Sequence, residues 1–472
     1  MKRVYFFAIL VFTFFSTAGL AQTGKFIGTW EGTLAAGIEL RVVFHITADG
    51  SGGFTTTADS PDQFAYGLKS DTTIIKDKDI TIEMKTLMAS FSGKLVNDTT
   101  IGGTFVQQAA FPLVLKKTGK VTGKNRPQTP KPPFPYMSEE VTYTNADKSI
   151  TYGATITVPK GKGPFPAAVM ITGSGPQDRD ETIMGHKLFA VIADDLARKG
   201  FIVLRVDDRG VGKSTGDFIE ATSEDFAQDV NNSLDYLLSR KEVDKKKTGL
   251  IGHSEGGMIA PMVAAKRKDI SFIVLLAAPG VRIIELMAEQ NEAVARSSGV
   301  SEATLKEIKP LFKQVVVAIM QSPDSVTALR DVTTLTETWA ADKNNALLKE
   351  LDFQTVQKRS EYIMQMVLQF QSPWFRYFIA FDPAPWLERL SGKVLALNGD
   401  KDIQVIASQN LPGIEAALKK SKSVYEIKKL EGLNHLFQTC TKCTINEYGE
   451  LEETISPIAL ETISNWLEKN VK

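Results

Sequence analysis

The chain has 472 residues, 43% of them hydrophobic and 23% charged, with a formal net charge of zero. That length is too great for one ordinary compact core and predicts roughly two or three domains. The composition is that of a soluble globular protein, and the charge balance gives no basis for binding nucleic acid or any partner held mainly by charge.

The first residues, MKRVYFFAILVFTFFSTAGLAQ, join a basic start (Lys2, Arg3) to an apolar run and then to small residues. This pattern predicts a secretory signal peptide over residues 1–21, cut after Gly19-Leu20-Ala21. The apolar run is shorter than the ~20 residues a membrane span needs, so no transmembrane segment is expected after cleavage. Export to the periplasm or the extracellular space follows, where nucleoside triphosphates are scarce.

Residues 22–118 read as an antiparallel β domain. Short β-branched, alternating runs recur (GTWEGTL, IELRVVFHIT, GGFTTTAD, TTIIKD, ITIEMK, ASFSGKLV, TIGGTFVQ, PLVLKK), separated by Gly, Asp and Asn. Its only histidine, His45, lies inside a strand pattern and is expected to be structural. Residues 119–137 hold five prolines between Pro127 and Pro135, expected to form a stiff, extended linker.

Residues 138–472 change texture. Apolar runs such as PAAVMIT, FIVLRV, TGLIGHS, FIVLLAAPG and KVLALNGD alternate with amphipathic helical stretches, which predicts a mostly parallel sheet covered on both faces. Residues 283–380 interrupt the alternation with helical patterns, expected to form a lid insertion whose Ile363, Met364, Met366, Trp374 and Phe375 are candidate acyl-pocket walls.

The stretch DDRGVGKST (207–215) ends like a phosphate-binding loop, but the full pattern G-x-x-x-x-G-K-[ST] requires Gly where Asp207 stands. Two acidic residues would face the phosphates, and the next helix is expected only near Thr222, with Thr222 and Asp225 as its capping box. Nucleotide binding is therefore not expected, and the stretch is better placed as a bracing loop beside the site.

The segment IGHSEGG fits G-x-S-x-G, with Ser254 between an apolar strand pattern and a helix pattern. Such a serine sits on a sharp turn that exposes its hydroxyl near a helix N-terminus. It needs a base. Of the four histidines, His45 lies in the other domain, and His253 adjoins the serine and should diverge from it. His186 precedes the serine, where it would support the site or cap a helix. His435, in LEGLNHLF, remains as general base. The acid is expected in GDKD after the strand KVLALN, at Asp402 rather than Asp400, which is expected to be a solvated turn residue. The oxyanion donors are expected to be the backbone N–H of Glu255 and that of Ser174 in the loop TGSGP, with Gly175 as the alternative.

Cys440 and Cys443 are the only cysteines. Two thiols cannot hold a structural zinc without further ligands, and an oxidising compartment favours a local disulfide.

Taken as a set, ITGSGPQDRDE, DDRGVGKSTGDF, GHSEGG, GDKDIQV and NHLFQ resemble the α/β-hydrolase family, and within it bacterial serine esterases. The resemblance covers roughly 138–472. It implies an eight-stranded, mostly parallel sheet, a Ser254–His435–Asp402 triad, neither cofactor nor metal, and a small-molecule ester as substrate. The N-terminal segment is similar to small β domains found ahead of such hydrolases. A serine peptidase of the aminopeptidase or dipeptidyl-peptidase kind would use the same triad, and a binding protein acting through the β domain is the non-enzymatic alternative.

Overall fold

The computed structural model describes residues 24–35, 39–49, 52–60, 65–107, 109–118 and 125–472. The expected signal peptide lies outside them. The chain divides into two compact units, Met1–Lys124 and Asn125–Lys472.

In the first unit nine strands form one antiparallel sheet: β1 (Gly28–Ala35), β2 (Glu39–Ala48), β3 (Phe54–Ser60), β4 (Ala65–Lys69), β5 (Thr72–Lys76), β6 (Asp79–Met84), β7 (Ala89–Asn97), β8 (Thr100–Gln107) and β9 (Ala109–Thr118). Their order is β4-β3-β2-β1-β9-β8-β7-β6-β5. Alternation puts Trp30, Phe44, Ile82, Phe91 and Leu115 on one buried face. The sequence pattern shows eight of these strands. It misses β4, five residues long with Gly67 at φ +64°, because so short a run carries no clear alternation. His45 is structural: its Nε2 meets Asp59 Oδ2 at 2.7 Å and its Nδ1 meets Thr29 Oγ1 at 3.1 Å.

In the second unit the proline-rich stretch is no free spacer from residue 125 onward. Arg126 donates to the carbonyls of Leu451, Met184 and Gly449, and Gln128 bonds the backbone of Thr454 and Ile455. These side chains satisfy backbone groups of the C-terminal segment and fix the prolines against it.

The main sheet has eight strands: β10 (Met137–Thr144), β11 (Thr151–Val158), β12 (Phe165–Ile171), β15 (Ile202–Val206), β16 (Val243–His253), β17 (Phe272–Leu276), β18 (Ser391–Gly399) and β19 (Lys422–Leu430). A separate small ribbon holds β13 (Thr182–Ile183) and β14 (His186–Lys187). The order in the main sheet is β10-β11-β15-β12-β16-β17-β18-β19. The first three strands pair antiparallel and the remainder pair parallel. The interior strand β17, FIVLL, is buried at every position, as a strand covered on both faces requires.

This is the α/β-hydrolase fold preceded by an antiparallel all-β unit, as the sequence pattern implies. Helices fill the connection between β17 and β18, beginning with Ile283–Ser297 and including Val356–Phe370 and Pro373–Ala380. In that insertion Ile363, Met366 and Phe375 belong to the core, while Met364 faces outward, 46% exposed. No helix among the described residues is long and apolar enough to cross a membrane.

Candidate active site

Strand β16 runs straight into the helix Glu255–Ala264, and Ser254 makes the turn at φ +52°, ψ −117°. A residue with a side chain takes that backbone only under strain. The flanking glycines are steric requirements: a Cβ at Gly252 would stand 2.1 Å from Gly256 O, and one at Gly256 would stand 2.1 Å from Ile171 O. The bend therefore lays the helix start against the end of β12.

Asp402 follows β18 and His435 follows β19, so adjacent parallel strands deliver both to the same edge of the sheet. Asp402 Oδ2 accepts from His435 Nδ1 at 2.8 Å. Its Oδ1 accepts the amides of Gln404 and Val405 at 2.8 and 2.9 Å. With Nδ1 as donor, His435 Nε2 is the nitrogen left to take a proton. Among the described residues no protein group occupies that Nε2. Asn434 shapes the base loop, its Oδ1 accepting the amides of Leu436 and Gln438 at 3.0 Å each. The His435 ring packs on that of His253, the residue before Ser254, with centroids 4.8 Å apart.

Asp400 lies in the turn after β18 with its side chain 20% exposed, and it also braces that turn. Its Oδ1 accepts the Gly432 amide at 2.6 Å, joining the acid and base loops. His186, buried in the small ribbon, meets Thr454 Oγ1, Tyr448 O and Gln438 Nε2. It anchors the C-terminal segment and takes no place beside Ser254.

The loop after β12 passes close to the elbow, with Ser254 Cβ 3.2 Å from where a Cβ on Gly173 would be. The Gly173 amide donates to Glu181 Oε1 at 2.7 Å and is thereby occupied. Among the described residues no acceptor takes the Ser174 amide. Glu255 opens its helix, where N–H groups have no partner within the helix.

The stretch 207–215 braces this loop. Asp207 binds the Arg179 guanidinium and accepts the amides of Arg179 and Lys213 at 2.9 Å each. Asp208 accepts from Thr172 Oγ1 at 2.7 Å and from the Gln177 amide at 2.9 Å. Arg209 pairs with Asp229 at 2.7 Å. The next helix starts at Ser223 after Thr222, whose N–H donates to Asp225 at 2.9 Å.

Burial pushes the Asp208 carboxyl up to about 8, against the hydrogen bonds it accepts from Thr172 and Gln177. Burial likewise raises the Glu255 carboxyl, although Ser223 Oγ and the Trp374 indole N–H donate to its Oε1 at 2.5 and 2.9 Å. Trp374, on the helix Pro373–Ala380, thus fastens the insertion to the residue after Ser254.

Sequence reasoning missed Glu181, Tyr448 and this role of Trp374. Glu181 ends the acidic run DRDE, which no other expectation explains. Tyr448 accepts from Gln404 Nε2 at 3.2 Å, and burial raises its phenol above the usual range. Cys440 and Cys443 form a disulfide. Its sulfurs lie near the Glu447 carboxylate, but sulfurs bonded to each other are not thiolate ligands. Glu447 instead accepts the amides of Thr441, Lys442 and Cys443.

Residues 185–358 match the family described as serine aminopeptidase, S33. The chain is 33% identical over 181 residues to esterase EstD of Thermotoga maritima, covering 38% of this chain and 43% of that one. It is 27% identical over 174 residues to acyl-coenzyme A thioesterase 3 of Mus musculus, covering 36% and 37%. The chain thus spans less than half the length of these curated relatives. Among solved structures, the Pyrococcus furiosus esterase Pf2001 aligns at a TM-score of 0.42 and 12% identity, over 71% of this chain and 92% of that one. The strand order and the elbow at Ser254 are those of the α/β-hydrolase fold, and the likeness to the serine aminopeptidase family covers residues 185–358.

Proposed function

We propose that the protein is a serine hydrolase that cleaves small-molecule carboxylic esters through an acyl-enzyme. The observation that carries this is a serine on a strained elbow together with a buried His–Asp pair whose distal nitrogen meets no protein group among the described residues. Ser254 Oγ attacks the ester carbonyl while His435 Nε2 takes its proton, and Asp402 holds the imidazole and stabilises its cation. The amides of Glu255 and Ser174 receive the developing oxyanion. His435 returns the proton to the leaving alcohol, and water then releases the acid by the same steps. No step calls for a cofactor or a nucleotide. The similarity to esterase EstD supports ester over amide substrates.

A serine peptidase is the second reading, favoured by the description of the matching family. The Cys440–Cys443 disulfide supports a working place outside the cytoplasm, as export predicts.

The test offers purified protein p-nitrophenyl esters of increasing acyl length and aminoacyl p-nitroanilides. Ester turnover that vanishes in Ser254→Ala is the expected result. Turnover of anilides alone would replace the esterase assignment by the peptidase one. Failure of a fluorophosphonate to label Ser254 would remove both.

A further inference from the structure

His253 is enclosed by acceptors. Its Nδ1 lies 2.9 Å from Glu181 Oε1, and its Nε2 lies 3.0 Å from the backbone oxygen of His435. A carbonyl oxygen can only accept, so Nε2 carries a hydrogen. The Nδ1–Oε1 contact requires one proton more. Two facts place it on nitrogen. Imidazole is the stronger base by about two pK units in water. The Gly173 amide already donates to the same Oε1 at 2.7 Å, so that oxygen already serves as an acceptor. The side chains of His253 and Glu181 are 1% and 0% exposed, and Glu181 Oε2 takes no hydrogen bond. The imidazolium is thus the charge that offsets the buried anion. Burial works against the cation, yet the Glu181 carboxylate and the two hydrogen bonds shift His253 upward overall.

The pair joins three segments. Glu181 holds the Gly173 amide and so the loop that presents Ser174. His253 is the residue before Ser254. Its Nε2–H holds the backbone of His435 itself. We propose that Glu181 and His253 form a buried ion pair that positions the oxyanion loop, the nucleophile and the general base relative to one another. This rests on the serine-hydrolase assignment above. Neither residue touches the reacting atoms, so both are positioning residues. The charged and titratable groups facing the pair are Asp402 and His435 from the loops after β18 and β19, and Asp208 from the loop after β15. Only His253 offers Glu181 an opposite charge among them when His435 is neutral.

The test has two arms. In the full chain labelled with 15N-histidine, both His253 nitrogens should give imidazolium shifts from pH 6 to 8. A neutral His253 at pH 7 overturns the ion pair, and that readout does not depend on activity. In the second arm Glu181→Gln keeps the shape and loses the charge, whereas Glu181→Asp keeps the charge and loses a methylene. Charge-dependent positioning predicts that Glu181→Gln lowers kcat about 10²-fold with KM little changed, a loss of the size that small misplacements of reacting groups produce. Glu181→Asp should recover much of it. A Glu181→Asp protein worse than Glu181→Gln would show that packing matters and charge does not, overturning the proposal. If Ser254→Ala keeps wild-type turnover, the hydrolase assignment fails while the first arm still reports on the pair.

Discussion

Each unit of this chain contains a histidine bonded to an aspartate at nearly the same distance, 2.7 Å for His45–Asp59 and 2.8 Å for His435–Asp402. They differ in surroundings. The first pair lies on neighbouring antiparallel strands with side chains 24% and 18% exposed, and its other ring nitrogen is taken by Thr29. The second lies on loops after adjacent parallel strands with side chains 6% and 0% exposed, and among the described residues no protein group takes its other nitrogen. A His–Asp contact alone therefore says little about chemistry. What matters is which nitrogen remains and whether a fold brings a nucleophile to the same edge. A parallel sheet does so because its strand ends all face one way.

Exchanging roles is the strongest way to break this comparison. His435→Ala should reduce ester turnover by roughly 10⁴- to 10⁶-fold, the range for removing a triad base. His45→Ala should leave kcat/KM unchanged and act only on the stability of the first unit. Equal losses of turnover from the two substitutions would erase the distinction. A milder pair follows. Asp402→Asn preserves shape but favours the wrong imidazole tautomer, and the expected fall in kcat is about 10⁴-fold. Asp59→Asn should leave kcat at the wild-type value, measured with the same ester.

The same contrast explains what could be read in advance. The elbow at Ser254 and the contact between Asp402 and His435 were legible because each of the three residues follows a strand pattern. The glycines of the elbow were legible for a steric reason that the 2.1 Å approaches make concrete. The Glu181–His253 pair was not legible, because its members lie 72 positions apart and only the packed fold shows that both imidazole nitrogens face acceptors. The bracing contact of Asp400 was not legible for a related reason: its amide partner, Gly432, belongs to the next strand's loop. The proline-rich stretch was misread because composition reports stiffness but not attachment.

Asp208 sharpens the comparison by showing a carboxylate near the site without a basic partner. Burial pushes its carboxyl up to about 8 in the folded protein, from the ordinary 3.8. Between those values the folded state binds more protons, so this group makes stability fall as pH rises from about 4 towards about 8. Asp208→Asn keeps an oxygen for the Gln177 N–H and turns its NH2 group to Thr172 Oγ1, which can accept, and should flatten that slope. Urea midpoints measured at pH 5, 6.5 and 8 check it. A variant whose midpoints run parallel to those of the parent protein would assign the slope to other groups.

The smallest effect concerns the disulfide that adjoins the loop of His435. Cys440 begins five positions after His435, and its amide bonds Gly432 O at 3.1 Å, so the bridge adjoins the base loop. The loop it closes is very short, and the entropy removed from the unfolded chain is worth roughly 2 kcal/mol. Two other devices hold the same backbone. Asn434 fixes the turn around His435, and the Glu447 carboxylate binds three successive amides of the bridged loop. Burial works against the Glu447 anion, but those amides outweigh it and keep the carboxyl below its ordinary range. The double substitution Cys440→Ser/Cys443→Ser should therefore lower Tm by a few degrees and change kcat less than twofold. The first unit has no cysteine, so its unfolding should not respond to a thiol reductant. A large fall in kcat with Tm unchanged would mean that the bridge, rather than Asn434 and Glu447, sets the position of His435.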